Sequence, residues 1–254
     1  MMSEIPTIIV PARLESSRIK RKLLLEIKGK PLIIWTADRI MDQVPEFPLF
    51  FAVDSKDLYD CLKSYGYVPI MTSCNHVSGT DRIAEANKKL NAKYIINVQG
   101  DEPLIFGSQI KALALSLQAG HPMTTLAGIF KKTDDFCNPN NVKVVIDHNG
   151  EALYFSRAPI PYVRTLNGAL DEKWIEKNKC FKHIGIYGYE KSFLEKIVNM
   201  KKSKLESFEC LEQLRVLENG HKIHVSISEE YSLGIDTEDD IKKFTSLVDK
   251  PIYS

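Results

Sequence analysis

Short, wholly apolar runs alternate along this chain with longer segments whose apolar residues recur every three to four positions. Thr7–Val10 (TIIV) is the first run, and it predicts a buried strand ended by Pro11. Leu32, Ile33, Trp35, Thr36 and Ile40 then fall on one helical face. Leu49–Val53 predicts a second strand, Asp57–Tyr65 a helix stopped by Gly66, and Val68–Met71 a third strand. Ser78-Gly-Thr-Asp81 has the Ser-x-x-acid spacing that opens a helix, which Ile83–Leu90 continues. Tyr94–Val98 predicts a fourth strand running into Gln99-Gly-Asp-Glu-Pro103.

This alternation predicts an α/β fold with a mostly parallel central sheet and helices on both faces. Ligands of such sheets bind beyond the carboxyl ends of the strands. Arg13 and Asp101, which follow the first and fourth runs, are therefore expected on one edge. The second half is less regular. Val142–Ile146 and Ala152–Phe155 read as strands joined by the turn Asp147–Gly150. His183–Tyr189 and Lys222–Ile227 read as further strands, and Ser207–Leu217 as one helix ended by Asn219-Gly220. Thr237-Glu-Asp-Asp240 opens a last helix. No repeat, low-complexity tract or linker is visible, so a single domain over residues 1–254 is expected.

Composition narrows the function. With 34 Lys+Arg against 33 Asp+Glu the net charge is +1, so no global basic excess points to nucleic acid or an anionic membrane. Five scattered cysteines without a C-x-x-C pair argue against a disulfide framework or a zinc site and fit a reducing compartment. The longest apolar runs are too short to span a bilayer, and the first residues lack the pattern of a signal peptide. A cytoplasmic location is expected.

Three groups of residues could carry chemistry. Pro11–Lys22 places five cations within ten residues directly after a strand. Arg13, Arg18 and Lys22 could surround a triphosphate, with Ser16, Ser17 and backbone N–H groups completing an anion nest. A solvated basic loop is the plainer reading of the same charges. Asp101 could hold Mg²⁺, with Asp236 as the best partner, since Mg²⁺ takes one or two carboxylates plus phosphate oxygens and water. Read singly, Asp101 is a turn aspartate and Asp236 a helix cap. His183, Arg157, Glu212 and Gln213 could read a sugar's carboxylate and hydroxyls, or serve structure alone. No nucleophile elbow and no H-E-x-x-H motif is present, which favours catalysis by positioning and charge.

Taken in order, the segments PARLESSR (Pro11–Arg18), GKPLI (Gly29–Ile33), SGTDR (Ser78–Arg82), NVQGDEPLI (Asn97–Ile105), NPNNVKVV (Asn138–Val145), ALYFSRAPIP (Ala152–Pro161), HIGIYGY (His183–Tyr189), LEQLRVLENG (Leu211–Gly220) and GIDTEDD (Gly234–Asp240) resemble the 3-deoxy-manno-octulosonate cytidylyltransferases. PAR-type starts recur across sugar nucleotidyltransferases, whereas the later motifs in combination are far more specific. The resemblance implies a Rossmann-like GT-A nucleotidyltransferase fold with a smaller substrate-binding and dimerisation subdomain, assembled as a homodimer. It implies Mg²⁺-dependent transfer of CMP from CTP to the anomeric hydroxyl of 3-deoxy-manno-octulosonate (Kdo), with release of pyrophosphate, for lipopolysaccharide assembly. Residues 1–130 would mainly bind CTP, and residues 131–254 would supply sugar, metal and dimer contacts. Arg13, Ser17, Arg18 and Lys22 would hold the phosphates, Ser78 and Gly79 the cytosine, and Gln99 would lie beside the nucleotide. Asp101 and Asp236 would bind Mg²⁺. Arg157, His183, Tyr187, Glu212 and Gln213 would form the sugar pocket. The chain departs from the family's usual Pro-Gly-Lys-Pro at Lys20-Arg-Lys-Leu23, where Arg21 replaces the glycine. Lys22, four residues after Arg18, is preferred over Lys30 as the phosphate lysine. Other readings are a cytidylyltransferase for 8-amino-Kdo or a sialic-type acid, and a nucleotide-binding protein without catalysis.

Overall fold

In the computed structural model, which describes residues 5–15, 19–168, 170–230 and 234–248, the first apolar run is the strand β1 (Thr7–Ala12), buried throughout. After it come the short pair β2 (Glu26–Ile27) and β3 (Lys30–Pro31), then α1 (Leu32–Gln43), β4 (Leu49–Val53), α2 (Lys56–Ser64), β5 (Pro69–Met71), α3 (Gly79–Leu90) and β6 (Tyr94–Asn97). β1 pairs in parallel with β6 on one side and β4 on the other, and β4 pairs in parallel with β5. Ile8, Ile9, Val10, Phe51, Ala52, Val53, Ile95 and Ile96 are buried, as expected of parallel strands covered on both faces. β1 continues past Pro11, against the sequence expectation. Within β1 only Thr7–Ile9 pair with β6, so further along β1 has a partner strand on one side alone among the described residues, and a proline is tolerated.

The chain forms two units, Met1–Lys111 with Ser232–Ser254, and Ala112–Tyr231. The division falls within α4 (Gly107–Gln118). The second unit holds β7 (Met123–Ile129), α5 (Thr133–Cys137), β8 (Lys143–Ile146), β9 (Ala152–Ser156), α6 (Glu172–Lys177), β10 (Phe181–Glu190), α7 (Lys191–Val198), α8 (Lys204–Glu209), α9 (Leu214–Glu218) and β11 (His224–Ile227). Here β7 lies between antiparallel β10 and parallel β11, and β8 pairs antiparallel with both β10 and β9. The fold is thus mixed α/β, its parallel strands concentrated in the first unit. The single helix expected over Ser207–Leu217 is two. Cys210 takes the left-handed conformation (φ 52°) that ends α8, and α9 starts at Leu214.

The final helix, α10 (Glu238–Val248), belongs to the first unit and sets the position of Asp236. Ile27, Leu32, Ile235 and Phe244 form one core cluster, with Trp35 edge-on to Phe244 at 5.6 Å. Asp240 accepts from the Thr237 backbone N–H at 2.9 Å and its hydroxyl at 2.7 Å, so the expected helix start forms. Among the described residues no helix is long and apolar enough to cross a membrane.

Candidate active site

The best-defined constellation in the first unit is built around a buried cation. Lys22, only 7% exposed, donates from Nζ to Asp101 Oδ2 at 2.5 Å, the Ile235 carbonyl at 2.7 Å and Asp236 Oδ1 at 3.2 Å. The backbone fixes this convergence, because the Ile235 N–H donates to the Asp101 carbonyl at 2.9 Å. Two aspartates 135 positions apart in sequence therefore share one positive charge. Such an arrangement answers the desolvation cost of burying an ammonium group. An all-oxygen pocket that already holds a monovalent cation has the donor chemistry that a hard divalent ion takes.

The residue that replaces the family's glycine sits where a glycine would be at ease. Arg21 has φ 53°, in the left-handed region. Its guanidinium pairs with exposed Asp57 at 2.5 Å, away from the Asp101–Asp236 cluster. Lys30 is elsewhere as well. Its ammonium pairs with Asp38 at 2.5 Å and lies 4.2 Å from the centroid of the Trp35 ring.

A pocket of about 220 Å³ in the same unit is lined by Pro11, Arg13, His76, Val77, Ser78, Gly79, Arg82 and Gln99. Ser78 is the N-cap of α3, accepting from the Asp81 N–H at 3.1 Å and donating to Asp81 Oδ2 at 2.9 Å. A Cβ on Gly79 would come within 3.2 Å of the Pro11 ring and 3.9 Å of Gln99 Oε1, so a side chain would narrow the space. Gln99 donates to Asn97 Oδ1 at 3.2 Å. Arg13 is exposed and described, whereas Ser16, Ser17 and Arg18 lie outside the described residues. Two residues that the sequence reading gave no role frame this pocket. Arg82, 3% exposed, donates to Thr72 Oγ1 at 2.9 Å and Asp54 Oδ2 at 3.1 Å, and Asp54 Oδ1 accepts from the Leu14 N–H at 2.9 Å. Asp54 thereby ties α3 to the loop carrying Arg13. The signal was its place directly after the second strand, equivalent to that of Arg13 after the first.

The remaining expected site residues all lie in the second unit. His183 and Tyr187 are neighbours on β10 with ring centroids 5.4 Å apart, and Phe155 stands edge-on to His183 at 5.0 Å. Part of the His183 surface is uncovered, yet the ring lies among densely packed atoms. That burial pushes its pKa down to about 3, so the imidazole is neutral at working pH. Thr125 Oγ1 lies 3.0 Å from His183 Nε2 and 2.8 Å from the Ile186 carbonyl. If Thr125 donates to that carbonyl, it accepts from Nε2–H and leaves Nδ1 as an acceptor. Burial, with Tyr189 and Glu212 adding to it, holds the Tyr187 phenol well above its ordinary value. Gln213 is buried, and its Nε2 has no hydrogen-bond partner among the described residues, whereas Glu212 lies 3.9 Å from Arg215. A buried amide donor without a partner is the kind of group a polar ligand satisfies.

Arg157, expected in the sugar pocket, is anchored by backbone carbonyls. Its Nε donates to the Glu209 carbonyl at 2.7 Å and its Nη1 to the Pro139 carbonyl at 3.0 Å. Glu209 in turn accepts from Ser156 Oγ at 2.6 Å and the Arg157 N–H at 2.8 Å. Lys143, fully buried, donates to the Asn138 carbonyl at 2.9 Å and the Arg157 carbonyl at 2.7 Å. Arg157, Glu209 and Lys143 thus knit three segments together. Neither Glu209 nor Lys143 was marked by the sequence reading, because each looks like an ordinary surface charge until its partners are known.

The family description "Cytidylyltransferase" matches residues 7–223. The 3-deoxy-manno-octulosonate cytidylyltransferase of Thermodesulfovibrio yellowstonii is 44% identical over 247 residues, covering 92% of this chain and 94% of that protein. That of Vibrio parahaemolyticus is 43% identical over 249 residues, covering 96% and 98%. A solved CMP:2-keto-3-deoxy-manno-octonic acid synthetase complexed with CTP superposes with a TM-score of 0.87 at 33% identity, covering 96% of this chain and 98% of that one. By fold and sequence the chain is a nucleotidyltransferase enzyme of the cytidylyltransferase class. Within that class it belongs to the family of 3-deoxy-manno-octulosonate cytidylyltransferases.

Proposed function

We propose that this enzyme transfers CMP from CTP to the anomeric hydroxyl of Kdo, releasing pyrophosphate. The observation that carries the reading is the convergence of Lys22, Asp101 and Asp236 on one point, in a chain whose relatives are named for this acceptor. The hydroxyl oxygen attacks the α-phosphorus, the bond to the bridging oxygen of the β-phosphate breaks, and the hydroxyl proton leaves to solvent. His183 is too weakly basic to take that proton, since an efficient base has a pKa near the working pH. The ring orients the acceptor as a neutral hydrogen-bonding group.

Asp101 and Asp236 would hold Mg²⁺, which when bound neutralises and polarises phosphate oxygens. Lys22, whose ammonium group occupies the same carboxylate pair, is the cation placed to pass to the triphosphate. Arg13 supplies further charge to the departing pyrophosphate. Ser78, Gly79 and Gln99, which line one pocket, would hold the cytosine end of the nucleotide. Tyr187, Glu212 and Gln213 offer the polar groups for sugar hydroxyls, and Arg157 shapes their surroundings through its carbonyl contacts. The homodimer, the cytoplasmic location and the supply of lipopolysaccharide assembly belong to the same reading and rest on the family resemblance.

The test is pyrophosphate release from CTP and Mg²⁺ with Kdo, 8-amino-Kdo or sialic acid supplied separately. Release that requires Kdo supports the assignment. Release only with another acid would keep the transfer chemistry and overturn the acceptor.

A further inference from the structure

Away from the residues assigned above, the second unit gathers three metal-binding side chains from three separate segments. They are His121 after α4, Glu151 before β9 and His224 at the start of β11. One ligand atom from each lies within 4.8 Å of the other two. The His121 and His224 rings stack with centroids 3.9 Å apart at 15°. Glu151 Oε1 is 3.7 Å from His121 Nδ1 and 4.0 Å from His224 Nδ1.

The backbone imposes this grouping. Glu151 and His224 face each other in an antiparallel bridge, flanked by Ala152 N–H to the Ile223 carbonyl at 2.9 Å and Val225 N–H to the Gly150 carbonyl at 2.8 Å. Gly150 (φ +79°) makes room, since a Cβ there would lie 2.9 Å from His224 Cε1. The His121 N–H donates to the Ser116 carbonyl at 3.3 Å, where α4 ends.

Hydrogen bonding does not account for the cluster. Both carboxylate–imidazole distances exceed hydrogen-bond length. Glu151 Oε2 and His224 Nδ1 are buried without a hydrogen-bond partner among the described residues, a costly condition that native structures rarely leave unmet. Three Lewis-basic groups lie within reach of one cation without satisfying one another, and rotation of one imidazole out of the stack would aim both rings at it.

We propose that His121, Glu151 and His224 form a structural site for one borderline divalent cation, Zn²⁺ by its chemistry. Two imidazole nitrogens and one carboxylate suit Zn²⁺, with water completing the shell. Mg²⁺ prefers oxygen donors throughout and is a poor competitor here. The ion pins the end of α4, the turn ahead of β9 and the first residue of β11. The site is separate from Asp101 and Asp236 in residues, donor type and metal, so it stands whether or not the proposed catalytic reading does.

Metal-stripped full-length protein would be dialysed against Zn²⁺ in excess Mg²⁺ and its metal content measured. Wild type and Asp101→Asn should each bind one equivalent, with His121→Asn and His224→Gln at least about tenfold weaker. Co²⁺ should give visible absorption in wild type that is lost in both histidine variants. Saturating Zn²⁺ should raise the wild-type melting temperature by about 5 °C. His121 is partly exposed, so its variant should fold, and circular dichroism checks this. Failure of wild type to bind stoichiometric Zn²⁺ overturns the proposal. So does binding unchanged in a folded His121→Asn variant, which would place the ion on exposed thiols such as Cys74.

Discussion

Lys22 is buried between Asp101 and Asp236 and pairs with both carboxylates. Under the proposed function, the carboxylates would take Mg²⁺ and the ammonium group would pass to the triphosphate. Arg21, the residue before Lys22, pairs instead with Asp57. Its left-handed backbone costs about 1–2 kcal/mol relative to glycine, which the greater chain entropy of an unfolded glycine partly offsets. The exposed pair with Asp57 adds at most about 1 kcal/mol. These terms nearly cancel, so Arg21→Gly should change stability in urea by less than about 1 kcal/mol and turnover by less than about twofold. A large loss of turnover would mean that Arg21 reaches the phosphates.

His183 gives a prediction with a definite sign. Its pKa falls from an ordinary 6.5 to about 3 in the folded protein. Between those values the unfolded chain binds more protons, so its contribution to stability is complete above pH 6.5 and is lost as pH falls toward 3. The slope is at most about 1.4 kcal/mol per pH unit, and less because part of the ring meets solvent. Urea unfolding from pH 7 to 4 should be less pH-dependent in His183→Gln than in wild type. Equal slopes would contradict a buried neutral ring.

Helix α3 starts at Ser78, which both caps it and lines the 220 Å³ pocket. Ser78→Ala should lose about 1 kcal/mol of stability from the missing cap and raise the KM for CTP, leaving the KM for Kdo unchanged. A pure cap would lose stability alone. The elements legible in the sequence were those with strong local signals: the apolar strands, and the Ser78 and Thr237 helix starts. The break between α8 and α9 was not legible, because Cys210 offers no left-handed preference and the Arg157 contacts that surround it come from 53 residues away. α4 and β7 also escaped notice. α4 (GSQIKALALSLQ) has only a weak amphipathic stripe, and β7 (MTTLAGI) lacks alternation.

Across the molecule, the residues assigned to the nucleotide and those assigned to the sugar separate by unit. Arg13, Lys22, Ser78, Gly79, Gln99, Asp101 and Asp236 fall in the first, and Arg157, His183, Tyr187, Glu212 and Gln213 in the second. Gln213→Ala should therefore raise the KM for Kdo about tenfold, the value of one hydrogen bond, while the KM for CTP stays the same. Equal rises for both substrates would argue against that separation. Asp101 and Asp236 could be paired from their motifs, but the buried lysine between them could not, since only the folded chain brings positions 22, 101 and 236 together. Glu209 and Lys143 were hidden for the same reason.

The most direct test is the steady-state rate of pyrophosphate release from CTP and Kdo at saturating Mg²⁺, compared between wild type and folded Asp101→Asn. The account predicts Kdo-dependent release by wild type and a loss of at least about a hundredfold in kcat for the variant. Near wild-type turnover by Asp101→Asn would contradict it.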